Sequence, residues 1–264
     1  MSMRLPGSSM RSEWIRVAHD RQNAWYRTAF DGLYPLLYPN RNDAQAEAEA
    51  CALLDLLRLP RGAQVLDLAC GTARHCQAIA QRGISPWGLD LSPALLSLAR
   101  KRDCLAGRLV RADMRLLPFR RSFDAVLSLF TRFGYFSKEE EHSRVLREVA
   151  RVIKPGGLLL LDHIHRPALE RTWVARDERE GPDFVLRQER TLAGNRVKKR
   201  VTIEWKDGRT RSLEENVRIF SPAELRDLLR AAGFCETRLF GSFQGEPLTQ
   251  TSARLIALAR IAGA

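Results

Sequence analysis

The stretch from Val65 to His75 constrains the fold of this chain more than any other segment. It reads V-L-D-L-A-C-G-T-A-R-H, an apolar strand followed by a turn of small residues that leads into a helix. Small side chains let the backbone of such a turn approach a ligand at the start of a helix, which predicts a site for a nucleotide-like ligand. The frame Gly71, Ala73, Cys76 does not match the G-x-G-x-x-G fingerprint, so a nicotinamide or flavin site fits poorly.

Two further aspartates follow at similar intervals. Asp90 closes the second predicted strand and Asp113 follows the third, while Asp67 lies in the first. In a doubly wound sheet, an acid at the end of the second strand accepts hydrogen bonds from ribose hydroxyls. We expect Asp113 to accept one from an adenine amino group, with Leu91 and Met114 beside the ring, and Asp67 to hold the turn or reach the ligand. Each aspartate alone is equally explained as a strand end or helix cap, but three in register favour one shared site.

From residue 63 onwards apolar strands alternate with helices, a pattern typical of a parallel sheet covered by helices. The predicted strands are residues 64–68, 86–90, 107–110, 123–129 and 158–162, and the predicted helices are 73–82, 93–101 and 138–153. Upstream, residues 13–29 and 43–58 have helical periodicity, with Asp43 as the expected N-cap of the second helix. They predict a helical lid over residues 1–60, in front of a domain of residues 61–264.

The pattern changes after Pro167 and predicts an antiparallel sheet inserted at about residues 168–220. Its three predicted strands are residues 184–192, 197–205 and 213–220. Ser221 is then the predicted N-cap of a helix that ends at Gly233, since a proline and an acid follow it in the first turn. Strands near 236–243 and 254–259 complete the main sheet. The predicted fold is therefore α/β, with a doubly wound, mostly parallel sheet.

These motifs, in this order, resemble the class I S-adenosylmethionine-dependent methyltransferases. The resemblance spans residues 61–166 and is carried by Val65–Arg74, Asp90, Asp113, Ser122–Val126 and Arg151–Gly157. It implies a Rossmann-like sheet of seven strands, S-adenosyl-L-methionine as cofactor and S-adenosyl-L-homocysteine as product. It also implies cofactor contacts from Asp67, Ala69, Gly71, Asp90, Leu91, Asp113, Met114 and, at the end of the fourth strand, Leu129 or Phe130.

Two shorter segments, Leu129–Phe136 and the turn Tyr38–Arg41, resemble a bacterial subgroup of this family associated with small-molecule acceptors. In that subgroup the N-terminal helices fold over the cofactor as a lid. This makes Tyr34, Tyr38 and Arg41 candidates for closing the site, with Tyr38 and Arg41 in contact with the cofactor. The alternative places both tyrosines in the packing between lid and sheet.

The resemblance implies methyl transfer to a nitrogen or oxygen atom of a small-molecule acceptor, a reaction in which positioning supplies much of the rate. A hydroxyl acceptor would need a base, and His163, after the fifth strand, is the candidate catalytic residue. His165 lies on the same face if the strand continues. The two histidines are alternatively core residues or metal ligands, but only Asp162 is near as a third ligand, so no metal is expected.

The formal net charge of +12 raises RNA as an alternative acceptor. Only Arg196–Arg200 is locally dense in basic residues, and a strand would divide their side chains between two faces. A solvated sheet surface is favoured there over a nucleic-acid patch. Phe130–Phe133 also occupies the position at which amino-methylating nucleic-acid enzymes carry an Asn/Asp-Pro-Pro-Tyr/Phe motif, which argues against methylation of a base amino group. A third interpretation is a cofactor-binding protein without turnover.

The five cysteines are odd in number and include no C-x-x-C pair, so the sequence indicates neither a disulfide framework nor a zinc site. No segment has the apolar core of a signal peptide or the length of apolar run that crosses a bilayer. We therefore expect a cytoplasmic monomer or homodimer whose partner is a small molecule rather than a membrane or a nucleic acid.

Overall fold

The structure is a computed structural model that describes residues 24–263, and these residues form two β-sheets with helices packed on them. The strands are β1 (Gln64–Leu68), β2 (Ser85–Asp90), β3 (Leu109–Arg111), β4 (Phe123–Ser128), β5 (Ile153–Ile164), β6 (Arg176–Glu180), β7 (Phe184–Ala193), β8 (Arg196–Trp205), β9 (Thr210–Arg218), β10 (Phe234–Phe240) and β11 (Arg254–Ile261). The α-helices are α1 (Tyr34–Leu37), α2 (Asp43–Leu57), α3 (Arg74–Ala80), α4 (Pro93–Ala99), α5 (Glu139–Val152), α6 (Arg166–Arg171) and α7 (Pro222–Ala231).

The larger sheet has seven strands in the order β10-β11-β5-β4-β1-β2-β3. Only β11 runs opposite to the other six strands, which confirms the predicted mostly parallel α/β sheet. From β1 the chain moves outward to β2 and β3 and then returns to the other side of β1 with β4. Ligands of open α/β sheets bind at the carboxyl ends of the strands where the order reverses in this way.

Both faces of the larger sheet are covered, which explains the nearly continuous apolar runs of its central strands. One face packs against α2 and α3, where Leu53 and Ile79 are fully buried. The other packs against α5 and α7, where Leu146 and Leu229 are buried. The four leucines Leu158–Leu161 of β5 alternate between these two layers, so this strand contributes to both halves of the core.

Side-chain caps fix where several helices begin. Ser221 Oγ accepts a hydrogen bond from Glu224 N at 3.2 Å, and the Glu224 carboxylate accepts one from Ser221 N at 2.8 Å, which confirms the predicted N-cap. The predicted cap at Asp43 is wrong by one residue. Asn42 accepts the hydrogen bond from Gln45 N at 2.9 Å, and Asp43 is the first residue of α2.

The smaller sheet has four antiparallel strands in the order β6-β7-β8-β9 and confirms the predicted insertion. One of its faces packs on α1 through an apolar cluster of Leu186, Val201, Ile203 and Leu213 with Leu33, Leu36 and Leu37. The prediction of three strands missed β6. Its sequence, Arg-Asp-Glu-Arg-Glu, has no apolar residue because β6 is an edge strand, so no alternation marked it.

The predicted lid is described only in part, since residues 1–23 lie outside the described residues. Most of the predicted helix 13–29 falls there, and Trp25–Arg27 form a single 3-10 turn instead of its last turns. The second predicted helix, residues 43–58, is confirmed as α2. Within residues 24–263 we find no helix with the length and apolar character that crossing a bilayer requires.

Gly134 connects the loop after β4 to the smaller sheet, because Gly134 O accepts a hydrogen bond from Arg218 N at 2.8 Å. Its φ is +113°, and a Cβ at this position would lie 2.5 Å from Arg218 O. We expect Gly134→Ala to lower the free energy of unfolding by about 3 kcal/mol or more, because left-handed strain and a backbone clash add together. Urea denaturation measures the loss.

Gly194→Ala is the matched control, since Gly194 has a φ of +59° but a Cβ at this position would have no other atom within 4 Å. We expect it to lose only about 1 kcal/mol. Equal losses in the two variants would contradict the proposed clash at Gly134.

Candidate functional site

A cleft lies at the carboxyl ends of β1, β2 and β3, with the loop after β4 on its open side. It is lined by Tyr26, Phe30, Ala69, Leu89, Asp90, Leu91, Ser92, Leu95, Ala112, Asp113, Met114, Arg132, Tyr135 and Phe136. Five sequence-predicted residues are brought together in this lining: Ala69, Asp90, Leu91, Asp113 and Met114. The cleft therefore lies where the pattern of strand ends predicted a ligand site.

The turn after β1 has an unusual backbone. Ala69, Gly71 and Ala73 have φ values of +58°, +59° and +56°, in the left-handed region that disfavours residues with a Cβ. The turn is held against β2 by a hydrogen bond from Cys70 N to Leu89 O at 2.9 Å. Only Gly71 adopts this backbone without strain, whereas the small side chains of all three residues allow a close approach to a ligand.

Asp90 is the carboxylate on the floor of the cleft. Its Oδ2 accepts a hydrogen bond from Gly71 N at 2.7 Å and its Oδ1 accepts one from Ser92 N at 2.8 Å. Because a carboxylate oxygen has two lone-pair directions, each oxygen keeps one for a further donor. Asp90 thus fixes the turn and still presents acceptors that suit a pair of ribose hydroxyls.

Asp113 lines the cleft, but its carboxylate is engaged by Arg115. Arg115 donates to it from Nε at 3.0 Å and from Nη2 at 2.7 Å, and Arg27 lies 3.7 Å away. Arg115 is buried and also pairs with Glu141. The predicted hydrogen bond from an adenine amino group to Asp113 would therefore compete with an ion pair that the sequence analysis did not identify.

Asp67 and Leu129 lie beneath the cleft and not in its lining. Asp67 is buried, accepts a weak hydrogen bond from Cys76 Sγ at 3.6 Å, and has its pKa raised by burial. Leu129 is buried in the core, and only its carbonyl reaches upward, to Arg132 Nε at 3.1 Å. Both side chains are packed in the core, so the predicted cofactor contacts of Asp67 and Leu129 do not come from residues that line the cleft.

The loop after β4 is also left-handed. Phe130 and Thr131 have φ values of +57° and +56°. Asp162, at the end of β5, holds both residues, since Oδ2 accepts from Phe130 N at 2.7 Å and its carbonyl accepts from Thr131 N at 3.0 Å. Arg254 pairs with the Asp162 carboxylate at 2.7 Å, while burial raises the pKa of that carboxyl group. The loop therefore presents its next residues to the cleft in a fixed orientation.

Tyr38 and Arg41 belong to the predicted lid, and neither residue lines the cleft. The Tyr38 hydroxyl contacts Glu215 and Lys199 of the smaller sheet, which themselves pair at 2.8 Å. Arg41 lies over the Tyr38 ring at 4.2 Å and donates to the Tyr34 hydroxyl. Burial, followed by Glu215, raises the pKa of Tyr38 well above its usual range, so its hydroxyl stays protonated. The alternative of a packing role thus describes the two tyrosines better.

Arg74 lies within the motif Val65–His75, but nothing in the sequence pattern marked it as a site residue. Its guanidinium lies 4.9 Å from the Phe130 ring, and that of Arg41 lies 5.1 Å from the same ring. Arg74 Nη1 donates to Asn42 O at 3.1 Å and lies 4.0 Å from Glu49, whereas the buried Nη2 has no hydrogen-bond partner among the described residues. Two guanidinium groups with a spare donor form a candidate binding point for a carboxylate.

A groove between the start of the described chain and the smaller sheet adjoins the cleft. It is lined by Ala24, Trp25, Thr28, Tyr135, Ser137, Glu189, Thr191, Arg196, Lys198, Lys199, Arg200, Glu214, Glu215 and Asn216. Tyr135 lines both the cleft and this groove. Its ring lies 4.8 Å from that of Trp25, and burial raises the pKa of its phenol. Two cavities that meet at one aromatic residue can bring two ligands together.

The structure does not support His163 as a base. The residue is 1% exposed, and its Nε2 accepts a hydrogen bond from Phe220 N at 3.1 Å. Burial lowers its pKa to about 3. The strand β5 continues to Ile164, so His163 packs under the smaller sheet in the core and not beside the cleft. His165 contacts Ser252 O at 2.9 Å, and no metal-binding group of three or more His, Cys, Asp or Glu is found within residues 24–263.

The basic segment Arg196–Arg200 does not form a continuous cationic surface. Lys199 pairs with Glu215 and Arg200 pairs with Glu214, each at 2.8 Å, on opposite faces of the sheet. The basic residues that suggested a nucleic-acid patch are therefore partly neutralised within the sheet. This agrees with the alternative interpretation, an ordinary sheet surface.

The chain is similar to known methyltransferases. A family profile described as a methyltransferase domain matches residues 65–157. The chain is 31% identical over 201 residues to dTDP-3-amino-3,4,6-trideoxy-alpha-D-glucopyranose N,N-dimethyltransferase from Streptomyces venezuelae, covering 75% of this chain and 79% of that protein. It is 30% identical over 219 residues to a glycine/sarcosine N-methyltransferase from Parasynechococcus marenigrum, covering 76% of this chain and 73% of the relative.

A solved structure shows the same architecture over most of the chain. The sugar N-methyltransferase KedS8 from a Streptoalloteichus species aligns with a TM-score of 0.68 and 26% identity, covering 87% of this chain and 92% of that one. The three proteins named here are all N-methyltransferases.

His142 and His163 are buried imidazoles packed around Phe220, with ring centres 5.2 and 5.5 Å from it. Burial lowers the pKa of His142 to about 4, from 6.5 in an exposed histidine. On acidification the unfolded chain binds this proton first, so stability falls as the pH drops below the unfolded value. We expect His142 alone to lower the free energy of unfolding by about 2 kcal/mol between roughly pH 7.5 and pH 5.

Urea denaturation at the two pH values measures this loss. His142→Leu removes the titrating group from the same buried position, and we expect it to lose about 2 kcal/mol less than the wild-type chain over that interval. The same acid-induced loss in both proteins would show that His142 does not cause it.

Proposed function

Because this chain belongs to the S-adenosylmethionine-dependent methyltransferases, we propose that it transfers methyl groups to an amino nitrogen of a small-molecule acceptor, with amino sugars as the favoured class. The observation that carries the proposal is the position of Tyr135, which lines both the cleft and the groove. A cofactor in the cleft and an acceptor in the groove would meet at this residue.

The residues of the cleft fit the cofactor. Asp90 keeps a lone-pair direction on each oxygen for ribose hydroxyls, and Leu91 and Met114 supply apolar surface for the adenine ring. Arg41 and Arg74 are the candidates for the methionine carboxylate, because Arg74 has a buried donor without a partner among the described residues. When bound, the cofactor supplies an electrophilic methyl group on a sulfonium sulfur.

The contribution of the chain is positioning and the exclusion of water. The ring of Phe30 lies 5.7 Å from Trp25 and 5.6 Å from Tyr135, so three aromatic residues line the place where the two cavities meet. Aromatic residues in this position would hold a nucleophile in line with the methyl group and away from water. Because burial raises the pKa of Tyr135, its hydroxyl would orient the acceptor by hydrogen bonding and would not remove a proton.

A nitrogen acceptor suits this site better than an oxygen acceptor. A neutral amine already carries the lone pair that attacks the methyl group, so it needs no base in the transition state. The two histidines that the sequence suggested as a base, His163 and His165, are both buried. The relatives named above agree, since each is an N-methyltransferase.

The acceptor class is inferred from the relatives together with the groove. Two of the three similar proteins are named for sugar substrates, and one for glycine and sarcosine. The groove carries both acidic and basic side chains, among them Glu215 and Lys198, which suits a polar acceptor that bears an amino group. We further propose that the enzyme is a cytoplasmic monomer or homodimer. RNA is not favoured, because Lys199 and Arg200 are paired with acids.

Acceptor-dependent formation of S-adenosyl-L-homocysteine tests the proposal. The purified protein and the cofactor are incubated in parallel with a nucleotide-linked amino sugar, glycine and unmodified RNA. We expect S-adenosyl-L-homocysteine to form only with small amines. Mass spectrometry of the acceptor should then show one or two methyl groups added to its nitrogen. The sugar with a hydroxyl in place of the amine is the matched control and should give none. Product with RNA alone would contradict the proposal, and binding without product in every case would favour a protein without turnover.

Asp90→Ala tests the position of the ribose. We expect it to weaken S-adenosyl-L-homocysteine binding about thirtyfold, since charge-assisted hydrogen bonds are worth about 2 kcal/mol. Isothermal titration calorimetry measures the affinity, and circular dichroism shows whether the turn after β1 survives the loss of its partner. Asp103→Ala, at an exposed aspartate of the neighbouring 3-10 turn, is the control. Unchanged affinity in Asp90→Ala would mean that the ribose lies elsewhere.

A further inference from the structure

Arg132 places a positive charge inside the cleft that the proposed function leaves unused. Its two terminal nitrogens lie 3.6 and 3.8 Å from the position of a Cβ on Gly71, so the guanidinium lies directly over the turn after β1. Arg132 Nε donates to Leu129 O at 3.1 Å, which anchors the side chain. Among residues 24–263, no carboxylate forms an ion pair with it within 4.0 Å.

Neither carboxylate that lines the cleft, Asp90 or Asp113, forms an ion pair with Arg132. Asp113 is neutralised by Arg115, and both oxygens of Asp90 accept hydrogen bonds from backbone N–H groups. Burial opposes the charged form of Arg132, but Tyr34, Tyr135, Asp67 and Asp90 together raise its pKa. The guanidinium therefore keeps its charge beside the turn at Gly71.

A carboxylate ligand does not account for Arg132. The candidate binding point for a carboxylate lies outside the lining of the cleft, where Arg41 and Arg74 flank the ring of Phe130. Arg132 instead shares the cleft with Asp90 and Met114, the residues assigned to the adenosyl part of the cofactor. In a complex with the cofactor placed in this way, its charge would lie next to the part that links the ribose to the sulfur.

We propose that Arg132 sets the balance between cofactor and product in this cleft, by opposing the positively charged sulfonium of S-adenosyl-L-methionine and tolerating the neutral thioether of S-adenosyl-L-homocysteine. This inference rests on the proposed function. Methyl transfer breaks the bond from sulfur to the methyl carbon, leaves both electrons on sulfur, and forms a bond from the lone pair of the acceptor nitrogen to that carbon. The positive charge moves from sulfur to nitrogen, away from Arg132, and the nitrogen then releases a proton to solvent.

The strained loop after β4 makes this arrangement effective. Phe130 and Thr131, the two residues before Arg132, have positive φ values, and Asp162 holds them with two hydrogen bonds. A guanidinium on a fixed backbone and in a mostly buried site retains more of its Coulomb energy than one in solvent. Arg132 therefore acts as a specificity-determining residue for the charge state of the ligand.

Isothermal titration calorimetry of four proteins with three ligands tests the proposal. The proteins are the wild type, Arg132→Gln, Arg132→Lys and Arg100→Gln, the last at an exposed arginine that ends α4. The ligands are S-adenosyl-L-methionine, S-adenosyl-L-homocysteine and sinefungin, an analogue with an ammonium group in place of the sulfonium. We expect Arg132→Gln to shift the affinity ratio toward both charged ligands by about tenfold relative to S-adenosyl-L-homocysteine. Arg132→Lys and Arg100→Gln should leave the ratio near that of the wild type.

Three results would overturn the inference. An equal loss of affinity for all ligands in Arg132→Gln would assign the residue to the methionine carboxylate. An unchanged ratio would show that its charge does not reach the sulfur. A shift for S-adenosyl-L-methionine without one for sinefungin would point to the volume of the methyl group and not to charge. If the wild type binds none of the three ligands, the proposed function itself fails, which is a separate outcome. Thermal unfolding of each variant shows that the comparison is made between folded proteins.

Discussion

The carboxylate of Asp90 accepts hydrogen bonds from Gly71 N and Ser92 N, and these two bonds fix the turn after β1 at the cleft. The turn after β1 includes two alanines with left-handed backbone, a conformation that is unfavourable on its own. A buried, charge-assisted pair of hydrogen bonds offsets that strain. Every ligand contact proposed for the cleft depends on this turn, because both the ribose site and the position of Arg132 are defined relative to it.

A second aspartate, on the other side of β1 in the sheet, also fixes a left-handed turn. Asp162, at the end of β5, holds the left-handed loop after β4, as Asp90 at the end of β2 holds the turn after β1. In each case an acid on one strand stabilises the turn that leaves the adjacent strand, and β1 and β4 are themselves neighbours. The two turns that face the cleft are thus fixed independently, which gives the site a rigid base on which the lid and the smaller sheet can vary.

Sequence patterns predicted the larger sheet well, because its central strands are buried on both faces and its helices carry clear start signals such as Ser221. They failed where the information is not local. The strand β6 is entirely charged and resembles a loop. His163 follows an apolar strand, and only the tertiary structure shows that Phe220 covers it. Arg132 was missed because the direction of a long side chain depends on the strained loop that carries it.

The contact of Tyr38 with Glu215 and Lys199 joins two parts of the chain that are far apart in sequence, one ahead of the larger sheet and one inserted late in it. The helices ahead of the larger sheet are in this way joined to two residues, Lys199 and Glu215, that line the groove. A shift of the smaller sheet would therefore also displace these helices. Evolution of a new acceptor preference in the insertion consequently has to preserve its fit to the lid, or change both together.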